Sequence, residues 1–210
     1  MKKLPMIFAA AFLFALFAVE SVSAESDYLS FWRELASGEE GRRLDRWLRL
    51  QAQVLLGEVS PDAASKSGIQ CPNLPQRASG AGLFVTLLDA RGRNRGCYGS
   101  FWHRSASAKD ALSEYLAAAL REDPRSQPIA RWELDNTKII VTAAGAPFPV
   151  ASLEEVDISS YGVFVSGDGG GGVVFVPAEI RTHASLASLC KTLLAEAQGI
   201  YAFRAVTIGR

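Results

Sequence analysis

Apolar and polar positions change their spacing several times along this chain, and each change marks an element. From Ser26 to Leu56 the apolar residues recur at helical intervals. Leu44, Trp47, Leu48 and Leu55 fall on one face, with Arg42, Arg43, Arg46 and Arg49 mostly around the other. Gly38 and Gly41 divide the segment, so two helices are expected within about 26–57. From Val59 to Gly80 the periodicity stops. Pro61, Pro72, Pro75 and several Ser and Gly residues predict a loop over 59–80, long enough to be of the functional kind.

Gly82–Leu88 is an unbroken apolar and β-branched run and reads as a buried strand. The residues after it, Asn94 to Phe101, read as a basic glycine turn that holds Cys97 between Gly96 and Gly99. Ser107 has the character of an N-cap. Leu112, Tyr115, Leu116, Ala119 and Leu120 follow at helical spacing until Asp123-Pro124. Lys138 to Ala144, Tyr161 to Val165 and Val173 to Val176 read as strands. Ser185 then caps a last helix striped by Leu186, Leu189, Cys190, Leu193, Leu194 and Ala197, with Gly199 as its stop and Tyr201 to Ile208 as a final strand. Helices, strand, helix, strand, hairpin, helix, strand is the order of an α+β fold with a largely antiparallel sheet flanked by helices. The core of that fold is expected over 82–210.

The first 24 residues stand apart from this pattern. Lys2 and Lys3 precede an uncharged apolar run from Met6 to Val19, and Val22-Ser23-Ala24 fits a small-residue cleavage site. That run is shorter than a comfortable membrane span. Residues 1–24 therefore read as a signal peptide and 25–210 as one exported domain, periplasmic or extracellular, with no membrane association after the segment is removed; an uncleaved N-terminal anchor is the alternative. Removal takes Lys2, Lys3 and Glu20 and leaves a formal charge of −1. Such a balance gives no support to broad electrostatic binding of nucleic acid or anionic lipid.

The chain has three cysteines, Cys71, Cys97 and Cys190, and two histidines, His103 and His183. With no Cys-x-x-Cys pair and no Cys/His cluster, no metal site and no cofactor is expected. Cys97 is the leading candidate for chemistry. Nucleophilic cysteine needs a thiolate, a nearby cation and access. Arg95 is the neighbouring cation, and His103 is a weaker candidate as a base. A small residue filling a tight glycine turn accounts for Cys97 equally well. Cys190 lies on an apolar helix stripe and reads as a buried structural thiol. Cys71 is either free or bridged to Cys190 or to Cys97. Arg91, Arg93, Arg95 and Arg104 make the Cys97 region basic, which suits either an anionic ligand or a solvated turn. Gly167 to Gly172 satisfies G-x-G-x-x-G, but strands flank both sides. It reads as a hairpin tip rather than a phosphate cradle.

Several stretches together resemble the AMMECR-one (AMMECR1) domain family. Phe84-Val85-Thr86 and Arg95-Gly96-Cys97-Tyr98-Gly99 are similar to its hallmark Phe-Val-Thr and Leu-Arg-Gly-Cys-Ile-Gly. Ala118 to Arg125, Trp132-Glu133-Leu134, Lys138 to Val141, Tyr161-Gly162-Val163 and Phe175-Val176-Pro177 resemble later elements. Asn94, Tyr98 and Ser126 depart from the family's Leu, Ile and Phe. The resemblance implies a larger and a smaller lobe around a cleft near Cys97. It carries over Cys97 by position, together with Thr86, Arg95, Gly96, Gly99, Asp123 and Arg125 as ligand-binding positions. It also implies a pathway shared with Memo-like and radical SAM proteins, although this chain has no iron–sulfur cysteine triad of its own. The family has no settled biochemical activity. The function expected is a domain that binds a small ligand or protein partner in the cleft, with a Cys97-dependent enzyme as the alternative and a structural envelope protein as a second alternative.

Overall fold

Strand β1 (Gly82–Leu88) is buried along its whole length, as its unbroken apolar run requires. It pairs antiparallel with β2 (Asn94–Ser100) on one side and β3 (Lys138–Ala144) on the other. The computed structural model describes residues 25–75, 81–101, 105, 107–167, 172–194 and 197–209. The expected signal peptide, His103, Arg104 and the tip of the glycine loop at 168–171 lie outside the described residues.

Side chains alternate across a strand, so β1 and β3 each serve two cores. Leu83, Val85, Leu87, Ile139, Val141 and Ala143 pack against α1 (residues 25–37), α2 (Glu39–Leu55) and α4 (Ala108–Arg121). Phe84 and Ala144 face the other way, into an aromatic cluster with Phe101, Phe164, Val176 and Phe203. Among the described residues the sheet has seven strands, completed by β4 (Phe148–Pro149), β5 (Tyr161–Ser166), β6 (Gly172–Phe175) and β7 (Gly199–Ile208). Its order is β2-β1-β3-β7-β5-β6, with β4 paired to β7 and every pairing antiparallel. The far half of β7 (Ala205–Ile208) pairs with β3 and the near half (Gly199–Arg204) with β5. One long strand thus joins the two halves of a curled sheet. The second half has its own apolar core, where Val163, Phe175 and Ala202 meet Leu186 and Cys190 of α5 (His183–Leu194). The fold is α+β with an antiparallel sheet, as the element order predicts.

Local chemistry explains most of the boundaries. Ser107 accepts the Asp110 N–H and opens α4, and the first two helices break at Gly38. Gly41 stays inside α2, where a Cβ would lie 2.6 Å from the Leu35 carbonyl. Several expectations need correction. The expected turn around Cys97 is strand β2; the turn lies earlier, where Asp89 and Arg93 pair and Gly92 adopts φ +70°. Within the expected loop, Ser60 and Pro61 start a short helix α3 (Pro61–Lys66). At the start of α5, Thr182 and Ser185 cap each other reciprocally, and Gly199 begins β7 rather than ending the helix. Leu189 leaves the buried stripe and is 50% exposed. Arg49, on the arginine-bearing face of α2, is partly buried, and its guanidinium donates to the Leu134 and Thr137 carbonyls.

Candidate functional site

The β1–β2 register sets Cys97 directly opposite Thr86. The Cys97 N–H points away from β1 and donates to Asp123 Oδ2 at 2.7 Å. The pair is therefore of the non-hydrogen-bonded kind, in which facing side chains come closest. Thr86 Oγ1 and Cys97 Sγ are hydrogen bonded at 3.3 Å. Thr86 is fully buried and Cys97 partly exposed.

Asp123 reaches this edge because α4 ends just before it. Its buried carboxylate also accepts the main-chain N–H of Arg125 and both Nε and Nη2 of that guanidinium, at 2.9–3.0 Å. Arg125 Nη1 in turn lies 3.3 Å from Glu179 Oε1. Glu179, from the turn between β6 and α5, accepts the Val176 N–H at 3.3 Å and a hydrogen bond from Asn94 Nδ2. Asn94 Oδ1 accepts the Gly96 N–H at 2.6 Å, which returns the chain of contacts to β2. Cys97, Asp123, Arg125, Glu179, Asn94 and Gly96 thus form one connected network along an otherwise open strand edge. It covers unpaired backbone donors, a common need of edge strands.

Two carboxylates share one guanidinium here, and their proton affinities separate. Burial alone would raise Asp123, but the hydrogen bonds from Arg125 and from the Cys97 N–H outweigh it and hold the carboxyl below the usual range. Glu179 goes the other way. Its burial, with the Asp123 charge nearby, exceeds the help of Arg125, the Val176 N–H and Asn94, and the carboxyl is raised. Burial and the Glu179 charge push the Cys97 thiol well above its ordinary value; Thr86 and Arg125 oppose this without reversing it. Such a sulfur is a neutral thiol at physiological pH, and the thiolate is the nucleophile.

Several sequence-predicted residues are placed differently from expectation. Thr86, Cys97, Asp123 and Arg125 are brought together. Arg95 is not the cation at the sulfur: its guanidinium is ion-paired to Glu133 at 2.7 Å, and Arg125 takes that place. Gly96 and Gly99 leave no space for an approaching group. A Cβ on Gly96 would lie 2.0 Å from the Ala119 carbonyl, and one on Gly99 2.3 Å from the Phe84 ring. Their smallness is used up by α4 and by β1. A Cys71–Cys190 bridge is also absent. All three cysteines are free, with Cys71 against the large helical core and Cys190 buried in the smaller one. Glu179 and Asn94 were not legible as site residues. A single acid after Pro177 carries no motif, and Asn94 stood out only as a departure from the family's leucine.

Next to the network, on the face of β1 and β3 that carries Thr86, lies a pocket of about 290 Å³. Leu88, Lys138, Ile140, Pro177, Ala178 and Ile180 line it. Its wall is thus the same turn that supplies Glu179. A larger depression of about 400 Å³, bordered by Arg42, Asp45, Arg46, Ile208 and Gly209, shares no residue with the network. Arg42 and Arg46 are both occupied there by Glu39. Among the described residues no group of three or more His, Cys, Asp or Glu could hold a metal ion.

With this geometry in view, known proteins give the following comparison. The AMMECR1 family model matches residues 50–202, and the chain belongs to that family. A protein of Thermotoga maritima is 35% identical over 85 residues, which cover 40% of this chain and 49% of that protein; the chain spans about half that relative's length. A crystal structure of an uncharacterised Pyrococcus horikoshii protein matches with a TM-score of 0.52 at 18% identity, over 79% of this chain and 90% of that one. That likeness is one of fold.

Proposed function

We propose that this member of the AMMECR1 family is a binding domain, in which Cys97 is a packed structural thiol and not a nucleophile. The observation that carries the reading is the double commitment of Cys97. Its N–H is held by Asp123 and its sulfur by Thr86, and burial raises the thiol beside two carboxylates. A nucleophilic cysteine needs the opposite environment, with a cation close to the sulfur and its charge not already neutralised. Arg125 is the nearest cation, but Asp123 and Glu179 hold it.

The binding face in this reading is the side of β1 and β3 that carries Thr86, with the Pro177–Ile180 turn as its wall. The Asp123–Arg125–Glu179 network fixes that turn against β2 and so sets the shape of the face. The ligand enters whole and leaves unchanged. We also place the domain outside the cytoplasm, on the strength of the basic, apolar and small-residue order within residues 1–24. An exported copy stands apart from Memo-like and radical SAM partners in the cell interior.

Intact-mass analysis of the native chain after exposure to an iodoacetamide, a thioester and a nitrile tests this reading. The expected result is no stoichiometric adduct on Cys97 while the fold is intact. Rapid, saturable acylation or thioimidate formation at Cys97 would establish the enzyme instead.

A further inference from the structure

We infer that the pocket lined by Leu88, Lys138, Ile140, Pro177, Ala178 and Ile180 takes a small anion with an apolar tail, of the medium-chain carboxylate class. The inference rests on the binding-domain reading and deepens it. The pocket has an apolar floor and walls and one cation at its border, the exposed Lys138. Its volume of about 290 Å³ is at the lower end for small-molecule sites, which suits a ligand of few heavy atoms.

The charge around the mouth is one-sided. Ile180 is followed by Arg181, whose guanidinium donates to the main-chain carbonyl of Arg91 in the β1–β2 turn. A carbonyl bond leaves the charge of Arg181 uncompensated. Among the described residues, no carboxylate lies within ion-pair distance of Lys138, Arg91 or Arg181. The acids nearby are already taken. Asp89 pairs with Arg93, and Glu179, in the same turn as Pro177, Ala178 and Ile180, turns its carboxylate to Arg125 and Asn94. An apolar slot with an unpaired lysine at its border, and Arg181 next in the chain to its Ile180 wall, favours a ligand with a negative head and a hydrocarbon body. Neutral lipids lose the charge contribution, and amines meet repulsion.

Titration of the purified chain with octanoate, followed by calorimetry and by methyl NMR shifts of Ile140 and Ile180, tests the inference. Octanol, octylamine and acetate serve as controls. Saturable octanoate binding is expected, with octanol and acetate weaker and octylamine without effect. Lys138→Glu, an exposed substitution, should weaken octanoate by about tenfold or more and leave octanol nearly unchanged. Ala178→Leu, which fills the slot, should remove both. Absence of saturable octanoate binding, equal binding by Lys138→Glu, or equal binding of octylamine would overturn the proposal. Intact mass separates this from the reading beneath it. Octanoate bound while Cys97 is quickly modified by electrophiles would refute the non-nucleophilic reading and keep the pocket. An inert Cys97 with no octanoate binding would do the reverse.

Discussion

The main-chain N–H of Cys97 ends on the Asp123 carboxylate, 2.7 Å away, and so the edge of the sheet is closed by a side chain from the end of α4. The same carboxylate grips Arg125, and Arg125 grips Glu179 in the turn after β6. An edge strand, a helix end and a distant turn are therefore held by one charge network.

Removing one member of that network should cost more than a surface ion pair. Asp123→Ala leaves a partly buried guanidinium beside Glu179 alone and orphans the Cys97 N–H. Breaking a buried pair costs roughly 3–5 kcal/mol, and that is the expected loss. Urea unfolding of the variant against the parent chain measures it. A loss below about 1 kcal/mol, the range of exposed pairs, would show that the network contributes little.

The two carboxylates should give opposite pH dependences. Asp123 is held below its ordinary value in the fold. Its contribution is complete above an unfolded-state value of about 4 and is lost as pH falls through the folded value. Glu179 is held above its ordinary value, so the folded chain keeps that proton longer than the unfolded chain. Stability then declines as pH rises from about 4.3 toward the folded value. Stability curves against pH should show Glu179→Gln without the decline on the neutral side and Asp123→Asn without the loss on the acid side. Parallel curves for the two variants would contradict the assignment.

Gly96 and Gly99 should prove more sensitive than Gly92. Alanine at 96 meets the Ala119 carbonyl and at 99 the Phe84 ring and Leu83 carbonyl, all within 2.4 Å of the new carbon. Overpacking of this severity costs about 1–3 kcal/mol or more. Gly92→Ala sacrifices a positive φ, about 1 kcal/mol, and brings its Cβ to 3.0 Å from Arg181 Nη2, the far end of a flexible side chain. Thermal unfolding of the three variants orders them.

Much of the fold was legible because its signals are local. The apolar run of β1, the β-branched run of β3 and the Ser107 cap each act over a few residues. Strand β2 was not legible. Its glycines have low strand propensity, and only the approach of α4 and β1 explains why they are needed. Within the site, Cys97 stood out by its glycine and arginine neighbours, whereas Thr86, Asp123 and Arg125 entered as site residues through resemblance. Glu179 was missed because its meaning comes from a turn that the curled sheet folds back onto β2. Leu189 and Gly199 mislead for the same reason, since tertiary packing decides which side of α5 is covered and where β7 begins.

The three cysteines should all be recovered as free thiols in non-reducing peptide maps of the purified chain, because Cys71 and Cys190 sit in different cores. Burial pushes the Cys71 thiol up to about 11, against the pull of Lys109 and Arg43, so it should label slowly near neutral pH. A bridged Cys71–Cys190 peptide would require the two cores to rearrange.

The central claim is that Cys97 is packed rather than poised, and its alkylation rate in the native chain tests this most directly. Iodoacetamide labelling, read by peptide mass spectrometry at several pH values, should be much slower at Cys97 than in the urea-unfolded chain. It should show no rise between pH 6 and 8 that marks a thiolate forming near neutrality. Fast native labelling with a midpoint below about pH 8 would contradict the account and make Cys97 a nucleophile.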